Sequence, residues 1–323
     1  MAQRILVTGS QGFVGHYVRG LLQERGCEVV GVGLPNRGAE ISVDLAEPTF
    51  SPEQLLDRAG EVDGVIYLAA RITRGSSVDE VARRNLRTVA EAPVRLLEAL
   101  SARSTRAHFV YCSSIKVYGP QPLPIQPDVS PLFPSEHCYG SSKALAERLL
   151  EISRGRGSLP FTVVRPSYVY GAGQHPTNAI PRFLASAWQG SPPVVFGDGR
   201  ELRDDVLVSD VAYCLVEACL RRASGALNAT GERARHLFDV AELCCEAVAE
   251  LGGPRVRPRL DPDRRGIAWT DQSFDLARSR AELGYEPTPL REGLRQEALW
   301  VHAGAPPLQP AAVVTPAERG TGR

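Results

Sequence analysis

The chain has 323 residues, 43% of them apolar, and its 37 basic side chains balance 37 acidic ones. A chain of this size can bury a large core, and zero net charge gives no general attraction to nucleic acid or a membrane surface, so neither is expected as a partner. The seven cysteines lack the spacing of metal ligands, and no apolar run suits a membrane helix or a secretory signal. These features predict a cytoplasmic globular protein without a metal site.

The first pattern along the chain is a strand, a glycine-rich turn and a helix. An apolar run over 5–7 is followed by Gly9, Gly12 and Gly15, and apolar side chains recur at helical spacing from Phe13. In such a turn the first glycine permits the bend, the second lets a pyrophosphate approach, and the third lets helix and strand pack closely. Similar turns occur in α/β units without a ligand, but this context favours a dinucleotide site.

A second strand is predicted over 28–32, and its end bears on the identity of the dinucleotide. An NAD site of this type has an acid there for the ribose hydroxyls, whereas this chain has Gly33. Arg37, just beyond, could accept the 2′-phosphate of NADP, although a surface loop residue is an equal interpretation. The pattern therefore slightly favours NADP(H) over NAD(H).

Two further strands end in residues that could contact a dinucleotide. The strand over 41–43 is followed by Asp44-Leu45, where a carboxylate could reach the adenine amino group. The run over 64–68 is almost continuously apolar, which is typical of a central strand in a parallel sheet. It ends in Ala69-Ala70, whose small side chains leave room for a cofactor.

The segment that follows combines a long helix, a strand and a proline-rich loop. The helix is predicted over 78–102, with a kink at Pro93 because proline lacks the N–H that a helix needs. The next strand, over 109–112, leads to Ser114. The proline-rich stretch 120–134 is too long and irregular for a simple connection, so it predicts a lid or wall over a site.

Tyr139 and Lys143 lie one turn apart on the next predicted helix, on the same face. A free phenol titrates far above neutral pH, but a nearby ammonium, beside a charged nicotinamide, favours the phenolate. The hydroxyl of Ser114 could hold a substrate oxygen while the proton moves. A tyrosine and a lysine at this spacing also occur by chance, yet together with the serine and the glycine turn they predict a catalytic site.

Strands alternate with helices from residue 4 to residue 165, the last strand being predicted over 161–164. This order predicts an α/β fold with a Rossmann-type, doubly wound parallel sheet, and ligands at the carboxyl ends of its strands. Residues 1–165 are expected to form a dinucleotide-binding domain, to which later segments can return. Residues 166–303 are expected to form a smaller, mostly helical substrate-binding lobe, and residues 304–323 a disordered tail.

With these motifs in this order, the chain resembles the extended short-chain dehydrogenase/reductases, a superfamily of nucleotide-sugar epimerases, dehydratases and reductases. The resemblance runs from residue 4 to about residue 303. It rests on V-T-G-S-Q-G-F-V-G at residues 7–15, Asp44-Leu45, Leu68-Ala69-Ala70, Asn85, Ser113-Ser114 with Val117-Tyr118-Gly119, Tyr139 with Lys143, Arg165-Pro166 with Val169-Tyr170-Gly171, Gly197-Asp198-Gly199 with Arg203-Asp204, and Leu283-Gly284-Tyr285-Glu286-Pro287.

The resemblance implies a bound nicotinamide dinucleotide and hydride transfer at a carbon of a nucleotide sugar. It implies that Tyr139 is the acid/base, that Lys143 tunes it, and that Ser114 binds both the tyrosine and the substrate. Tyr168 and Arg203 are the further substrate ligands, Arg203 through the diphosphate. The cofactor ligands expected on this basis are Gly9, Gly12, Phe13, Val14, Gly15, Arg37, Asp44, Leu45, Leu68, Ala69, Ala70, Asn85, Lys143 and Pro166.

A homodimer is also implied by the resemblance, through the two long helices after the fourth and fifth strands. Both helices carry leucines that suit such an interface. These leucines could equally belong to the core. They are Leu96, Leu97, Leu100, Leu145 and Leu149.

Two departures from the family pattern narrow the reaction. Related dehydratases have an Asp-Glu pair shortly after the serine, and decarboxylases keep a glutamate, whereas this chain has Ile115-Lys116. Tyr168 stands where many epimerases have asparagine, although a core tyrosine fits equally. Two activities remain: a 4-ketoreductase of an NDP-4-keto-(deoxy)sugar, which Gly33 favours, and an NAD-dependent NDP-sugar 4-epimerase. A non-catalytic dinucleotide-binding sensor is a third hypothesis, against which the complete catalytic trio argues.

Overall fold

The computed structural model describes residues 2–35, 37–70, 80–103, 106–131, 138–264 and 271–304. The strands are β1 (Arg4–Thr8), β2 (Glu28–Gly33), β3 (Ile41–Ser42), β4 (Gly64–Tyr67), β5 (His108–Cys112), β6 (Phe161–Pro166), β7 (Tyr168–Tyr170), β8 (Val194–Phe196), β9 (Leu202–Arg203), β10 (Asp205–Leu207), β11 (Gly225–Ala229), β12 (Arg235–His236) and β13 (Arg259–Asp261). The helices are α1 (Phe13–Glu24), α2 (Pro52–Ala59), α3 (Glu80–Leu86), α4 (Ala92–Arg103), α5 (Cys138–Gly155), α6 (Ala179–Trp188), α7 (Val208–Leu220), α8 (Leu237–Glu250), α9 (Ala277–Leu283) and α10 (Leu290–His302).

Seven parallel strands form the central sheet, in the order β11-β6-β5-β4-β1-β2-β3. This arrangement confirms the predicted doubly wound parallel sheet. Successive residues of β1 point to opposite faces: Leu6 joins the core formed with α2, α4 and α5, and Ile5 and Val7 join the core formed with α1 and α7. Because both faces are covered, every residue of β4 is buried, as its apolar run predicted.

The helix predicted as one piece over 78–102 is divided before Pro93. The helices α3 and α4 flank a π-helical turn, Arg87–Glu91. Proline has no N–H and its ring crowds the carbonyl four residues earlier, so the helix widens just before it. The freed carbonyls are satisfied from the sheet, because Tyr111 donates to Val89 at 2.7 Å and Tyr67 donates to Thr88.

The central sheet is built from two separate stretches of the chain. β11, which follows residue 165 by a long excursion, pairs in parallel with β6 from Gly225 opposite Thr162 to Ala229 opposite Pro166. The helix before it, α7, packs against α1. Segments beyond residue 165 thus return to the central sheet and to the helices that cover it.

The rest of the C-terminal half is mostly helical and has its own core. Helices α6, α8 and α10 surround buried side chains such as Leu184, Val240 and Leu294. Three two-stranded sheets accompany them, β7 with β10, β8 with β13, and β9 with β12. No helix in the described ranges has both the length and the apolar character needed to cross a membrane. Residues 132–137, and residues 305–323 of the tail predicted over 304–323, lie outside the described residues.

Candidate active site

The glycine-rich turn joins β1 to α1 at the carboxyl edge of the sheet. Gly9 has a φ of +69°, and a β-carbon there would lie 3.0 Å from the backbone nitrogen of Ala69. A β-carbon on Gly15 would collide with the carbonyl oxygen of Gly9. Gly12 begins α1 without a side-chain cap, which leaves the first N–H groups of the helix to a ligand. The backbone is therefore shaped as the phosphate-binding turn requires.

Across this turn lies the end of β4, held by Thr8, whose hydroxyl accepts from the backbone nitrogens of Leu68 at 3.1 Å and Ala69 at 3.2 Å. Asn85, on α3, is only 6% exposed, and its Oδ1 has no hydrogen-bond partner among the described residues. A buried amide oxygen without a partner is unusual in a folded protein. The contact of Asn85 with a dinucleotide stays a prediction.

The end of β2 carries neither the acid of a typical NAD site nor a cluster of exposed cations. The β-carbon of Ala39 lies 3.0 Å from where a β-carbon on Gly33 would be. The carboxylate of Glu40 accepts from a backbone N–H of β2 at 3.0 Å and binds Arg19 through two contacts of 2.7 Å. Arg37 is half-buried and joins none of the ion pairs seen among the described residues.

The other predicted cofactor ligands follow the same edge of the sheet. Asp44 comes after β3, and both its carboxylate oxygens have partners, the backbone nitrogen of Ala46 at 2.9 Å and the guanidinium of Arg84. Its contact with adenine stays a prediction. The remaining members lie beside Asp44, at the start of α1, after β4 and at the end of β6; they are Leu45, Phe13, Val14, Leu68, Ala70 and Pro166.

The three predicted catalytic residues lie around the end of β5. Lys143 is 1% exposed, and its Nζ donates to the carbonyl of Cys112, the last residue of β5, at 2.5 Å. The same Nζ lies 5.8 Å from the ring centroid of Tyr139. Ser114 begins a 3₁₀ turn (Ile115–Val117) that packs against α5, the helix of Tyr139 and Lys143. Strand end, turn and helix thus bring the three residues into one region.

Burial changes the pKa of both reactive groups on α5. It lowers the pKa of Lys143 to about 8, although Cys112 and Glu147 oppose the change. It raises the pKa of Tyr139 above the ordinary value for a phenol. In the chain by itself desolvation of the phenol dominates, so the effect of Lys143 together with a charged nicotinamide stays a prediction. Further positive charge beside Tyr139 is needed to favour the phenolate.

A buried ion pair supports this region, and the sequence analysis missed it. Glu147 follows Lys143 by one turn on α5, and its carboxylate accepts from Arg165 of β6 at 2.6 Å and 3.1 Å, and from Ser113. Arg165 also donates to the carbonyl of Pro127 at 3.0 Å, so the pair links α5 and β6 to the proline-rich segment. The available signal was an arginine at the end of an otherwise apolar strand.

Tyr168, which was predicted as a substrate ligand, contacts two cations, Lys116 and Arg203. Lys116 Nζ donates to its hydroxyl at 2.7 Å, and the guanidinium carbon of Arg203 is 4.2 Å from its ring centroid. Arg203 itself binds both carboxylate oxygens of Asp205, at 2.6 Å and 3.1 Å. The predicted contact of Arg203 with a diphosphate therefore stays a prediction, while Lys116 joins the candidate site as a residue not assigned a role from sequence.

A cavity of about 550 Å³ opens in the C-terminal half. Arg182, Arg259 and Arg264 line it together with Asp261, which gives the wall an excess of positive charge. The guanidinium carbons of Arg182 and Arg264 lie 5.1 Å and 4.7 Å from the ring centroid of Phe196. Such a wall suits an anionic ligand with a planar ring. No motif marks these residues, because they come from separate segments.

Comparison with known proteins identifies the family of the chain. The sequence pattern of the NAD dependent epimerase/dehydratase family matches residues 5–229. The chain is 27% identical to the "Uncharacterized UDP-glucose epimerase YtcB" of Bacillus subtilis (strain 168), over 92% of this chain and 98% of that protein. It is 29% identical to a dTDP-4-dehydro-6-deoxy-D-allose reductase of Streptomyces sp, over 92% of this chain and 95% of that protein.

Among solved structures, MoeE5 in complex with UDP-glucuronic acid and NAD is 30% identical, with a TM-score of 0.77 over 94% of this chain and 100% of that one. A dTDP-glucose 4,6-dehydratase of Haemophilus influenzae is 26% identical over 92% of this chain and 97% of that protein. These four relatives match 92–94% of this chain. The chain belongs to the NAD dependent epimerase/dehydratase family, whose members are enzymes of the extended short-chain dehydrogenase/reductase type.

Proposed function

We propose that this enzyme oxidises and reduces carbon 4 of the sugar in a nucleotide-activated sugar, with Tyr139 as the acid/base. The observation that supports the proposal most is the packing of α5, with Tyr139 and Lys143, against the turn that begins at Ser114. A nicotinamide dinucleotide bound at the glycine turn supplies the acceptor and donor of hydride. Asn85 and Lys143 are the polar side chains proposed as its further ligands.

Proton transfer is assigned to the side chains of Ser114, Tyr139 and Lys143. The phenol oxygen of Tyr139 takes the proton of the sugar hydroxyl and returns it, while Ser114 Oγ holds the same sugar oxygen. The ammonium of Lys143 favours the phenolate electrostatically. Because the pKa of Lys143 is about 8, its charged form prevails at neutral pH. The carbonyl of Cys112 keeps that ammonium in position.

The nucleotide of the substrate is proposed to bind in the cavity of the C-terminal half. Arg182 and Arg264 lie close to the ring of Phe196 in the wall of this cavity and are proposed to bind the charged part of the nucleotide. Arg203 is proposed to contact the diphosphate with the guanidinium nitrogen that Asp205 does not use. A nucleotide diphosphate matches this combination of an aromatic ring and cations.

A 4-epimerase is the reaction we propose first. Elimination and decarboxylation are disfavoured because Ile115-Lys116 replaces the acids that related dehydratases and decarboxylases use. The relative MoeE5 was solved with UDP-glucuronic acid and NAD, which favours an NAD-linked reaction here. An NADPH-dependent 4-ketoreductase is the second candidate, favoured by the missing acid at Gly33 and by Arg37.

Product analysis separates these two reactions. The purified protein is incubated with UDP-glucose and with UDP-glucuronic acid, and the C4 epimers are resolved by chromatography while the absorbance of the reduced coenzyme is followed. We expect epimers without net coenzyme consumption. Consumption of NADPH with a 4-keto nucleotide sugar, and no epimer, establishes the reductase instead. The absence of any reaction with either class refutes the proposal.

Two tyrosine variants link the reaction to the site. Tyr139→Phe should lower kcat by at least about 100-fold while keeping coenzyme binding, since only the transferable proton is lost. Tyr213→Phe is the matched control, because the hydroxyl of Tyr213 donates to the backbone carbonyl of Leu283 and has no proposed catalytic part. Activity in Tyr139→Phe close to that of the control contradicts the assignment.

A further inference from the structure

Glu297 on α10 is a buried acid that has no part in the proposed proton transfer. It is 0% exposed, and neither of its carboxylate oxygens has a hydrogen-bond partner among the described residues. The two other glutamates buried in the described ranges, Glu147 and Glu217, each pair with arginine. Buried polar groups are nearly always paired, and a buried charge without a partner is costly. A structural ion pair therefore does not explain Glu297.

Glu297 lies where the C-terminal lobe meets the helix that follows the glycine turn. Gly293 precedes it by one turn of α10, and a β-carbon on Gly293 would collide with the hydroxyl of Tyr170 in β7. That hydroxyl is buried and also lacks a partner within the described ranges. The carboxyl acts electrostatically on Tyr17 of α1, whose hydroxyl donates to the carbonyl of Ala172 at 2.9 Å. Two phenols thus face the acid, and this position suits its neutral, protonated form.

A second buried carboxylate, that of Asp205, acts on Glu297 from β10, which packs against α10. Among the described residues, the thiol of Cys244 on α8 and the backbone N–H of Gly171 also face the carboxyl. Burial and the charge of Asp205 raise the pKa of Glu297 to about 8, although Gly171 opposes the change. The acid therefore exchanges its proton at a pH not far from neutral.

The charge on Glu297 bears on Arg203 through Asp205. The side chain of Asp205 is 1% exposed, and its two oxygens accept from Arg203 at 2.6 Å and 3.1 Å. Arg235 also acts on Asp205, but it pairs with Glu232. While Glu297 is neutral, Arg203 balances the single charge of Asp205. Once Glu297 is ionised, two buried carboxylates share that guanidinium, and a bound diphosphate would bring further negative charge to the same region.

We propose that Glu297 is a proton-binding positioning residue, which leaves Arg203 more available to the diphosphate of the substrate while the acid is protonated. The inference rests on the proposed function, which assigns Arg203 to the diphosphate. By linkage, the proton on Glu297 and the nucleotide sugar strengthen each other's binding by the same factor. Substrate affinity should therefore fall as the pH rises through the range in which Glu297 ionises.

The test measures the affinity for UDP-glucose by calorimetry at pH 7 and pH 9, with the protein saturated with NAD. The wild type is compared with Glu297→Gln and with Glu292→Gln, which changes an exposed acid on the same helix. Between the two pH values the wild type and Glu292→Gln should lose on the order of 5-fold more affinity than Glu297→Gln, which stays neutral. Titration of Lys116 and Lys143 weakens all three proteins alike, so the difference isolates Glu297.

Proton uptake gives a second readout of the same link. Calorimetry at pH 8 in Tris and in HEPES, which differ in ionisation enthalpy, measures the protons taken up as UDP-glucose binds. The wild type should take up roughly half a proton more per bound ligand than Glu297→Gln. A purely structural role for Glu297 would change the stability of the variant and leave this difference at zero. Glu297→Met, also neutral, provides the same comparison if Glu297→Gln does not fold.

Equal loss of affinity with pH in the wild type and Glu297→Gln, or equal proton uptake, overturns the inference. If epimers form under those conditions, the proposed reaction still stands. A pH dependence that is lost in Glu297→Gln, without any epimer and without coenzyme consumption, supports the inference and refutes the proposed reaction. A wild-type protein that does not bind UDP-glucose at pH 7 overturns both.

Discussion

Removing Glu147 should destabilise the protein far more than removing Glu151 from the same helix. Both glutamates lie on α5 and both pair with an arginine. The side chains of Glu147 and Arg165 are only 5% and 3% exposed, whereas those of Glu151 and Arg154 are 40% and 56% exposed. The two variants Glu147→Leu and Glu151→Leu therefore differ chiefly in burial.

The magnitude follows from what each change leaves behind. Glu147→Leu removes both carboxylate acceptors of Arg165, at 2.6 Å and 3.1 Å, and the acceptor of Ser113, so a guanidinium stays buried without its counter-charge. Breaking a buried pair in this way costs about 3–5 kcal/mol of unfolding free energy. Glu151→Leu leaves Arg154 in water, and an exposed pair contributes about 1 kcal/mol at most.

Urea unfolding, followed by the fluorescence of the three tryptophans, measures the loss of unfolding free energy in each variant. The loss is calculated from the change in the midpoint urea concentration, provided that the dependence of the free energy on urea stays the same. The double variant Glu147→Leu with Arg165→Met should cost less than the sum of the two single variants, because no buried charge stays unpaired. Equal costs for Glu147→Leu and Glu151→Leu, or strict additivity in the double variant, would refute the reasoning.

Three further predictions use matched residues or conditions. Gly15→Ala should abolish dinucleotide binding, because the β-carbon of the alanine would collide with the glycine turn. Quenching of protein fluorescence measures the binding. Gly20→Ala lies on the same helix, where a β-carbon meets nothing within 4 Å, and this variant should bind the dinucleotide normally. Burial lowers the pKa of Lys143 to about 8, so between that pH and the ordinary lysine pKa the unfolded chain binds more protons than the folded one. The unfolding free energy should therefore rise with pH over this range. Lys143→Met should lack the rise, and equal slopes for both proteins contradict the prediction. Leu149 lines a surface groove of about 300 Å³ between α4 and α5, so Leu149→Lys should turn the expected homodimer into a monomer, as measured by light scattering. Leu299→Lys changes a leucine that is 54% exposed on α10 and should leave the dimer intact. A monomeric wild-type protein refutes the dimer.

The expected dimer contacts divide between core and surface. Leu96, Leu97 and Leu100 are at most 2% exposed and belong to the core against the sheet. Leu145 and Leu149 line the groove between α4 and α5. Helical spacing alone did not separate the two sets, because both faces of these helices carry leucines. The homodimer stays a prediction, now confined to α5 and the helix opposite it.

The sequence by itself determined the features that depend on neighbours along the chain. Alternating strands and helices, the glycine turn and the shared face of Tyr139 and Lys143 each follow from spacing within one or two turns. Pro93 marked a disturbed helix correctly, but the π-helical turn depends on the carbonyls that Tyr111 and Tyr67 can reach from the sheet. The spacing of residues shows which face of a helix or strand a side chain lies on, but it does not show which residues pack against that face.

Only the tertiary structure decided which distant residues meet. Lys116 and Tyr168 are 52 positions apart, and they come together because β5 and β6 are neighbours in the sheet. The arginines around Phe196 and the pair of Glu147 with Arg165 likewise join separate segments. The burial that raises the pKa of Tyr139 likewise depends on the packing of elements that sequence spacing does not describe.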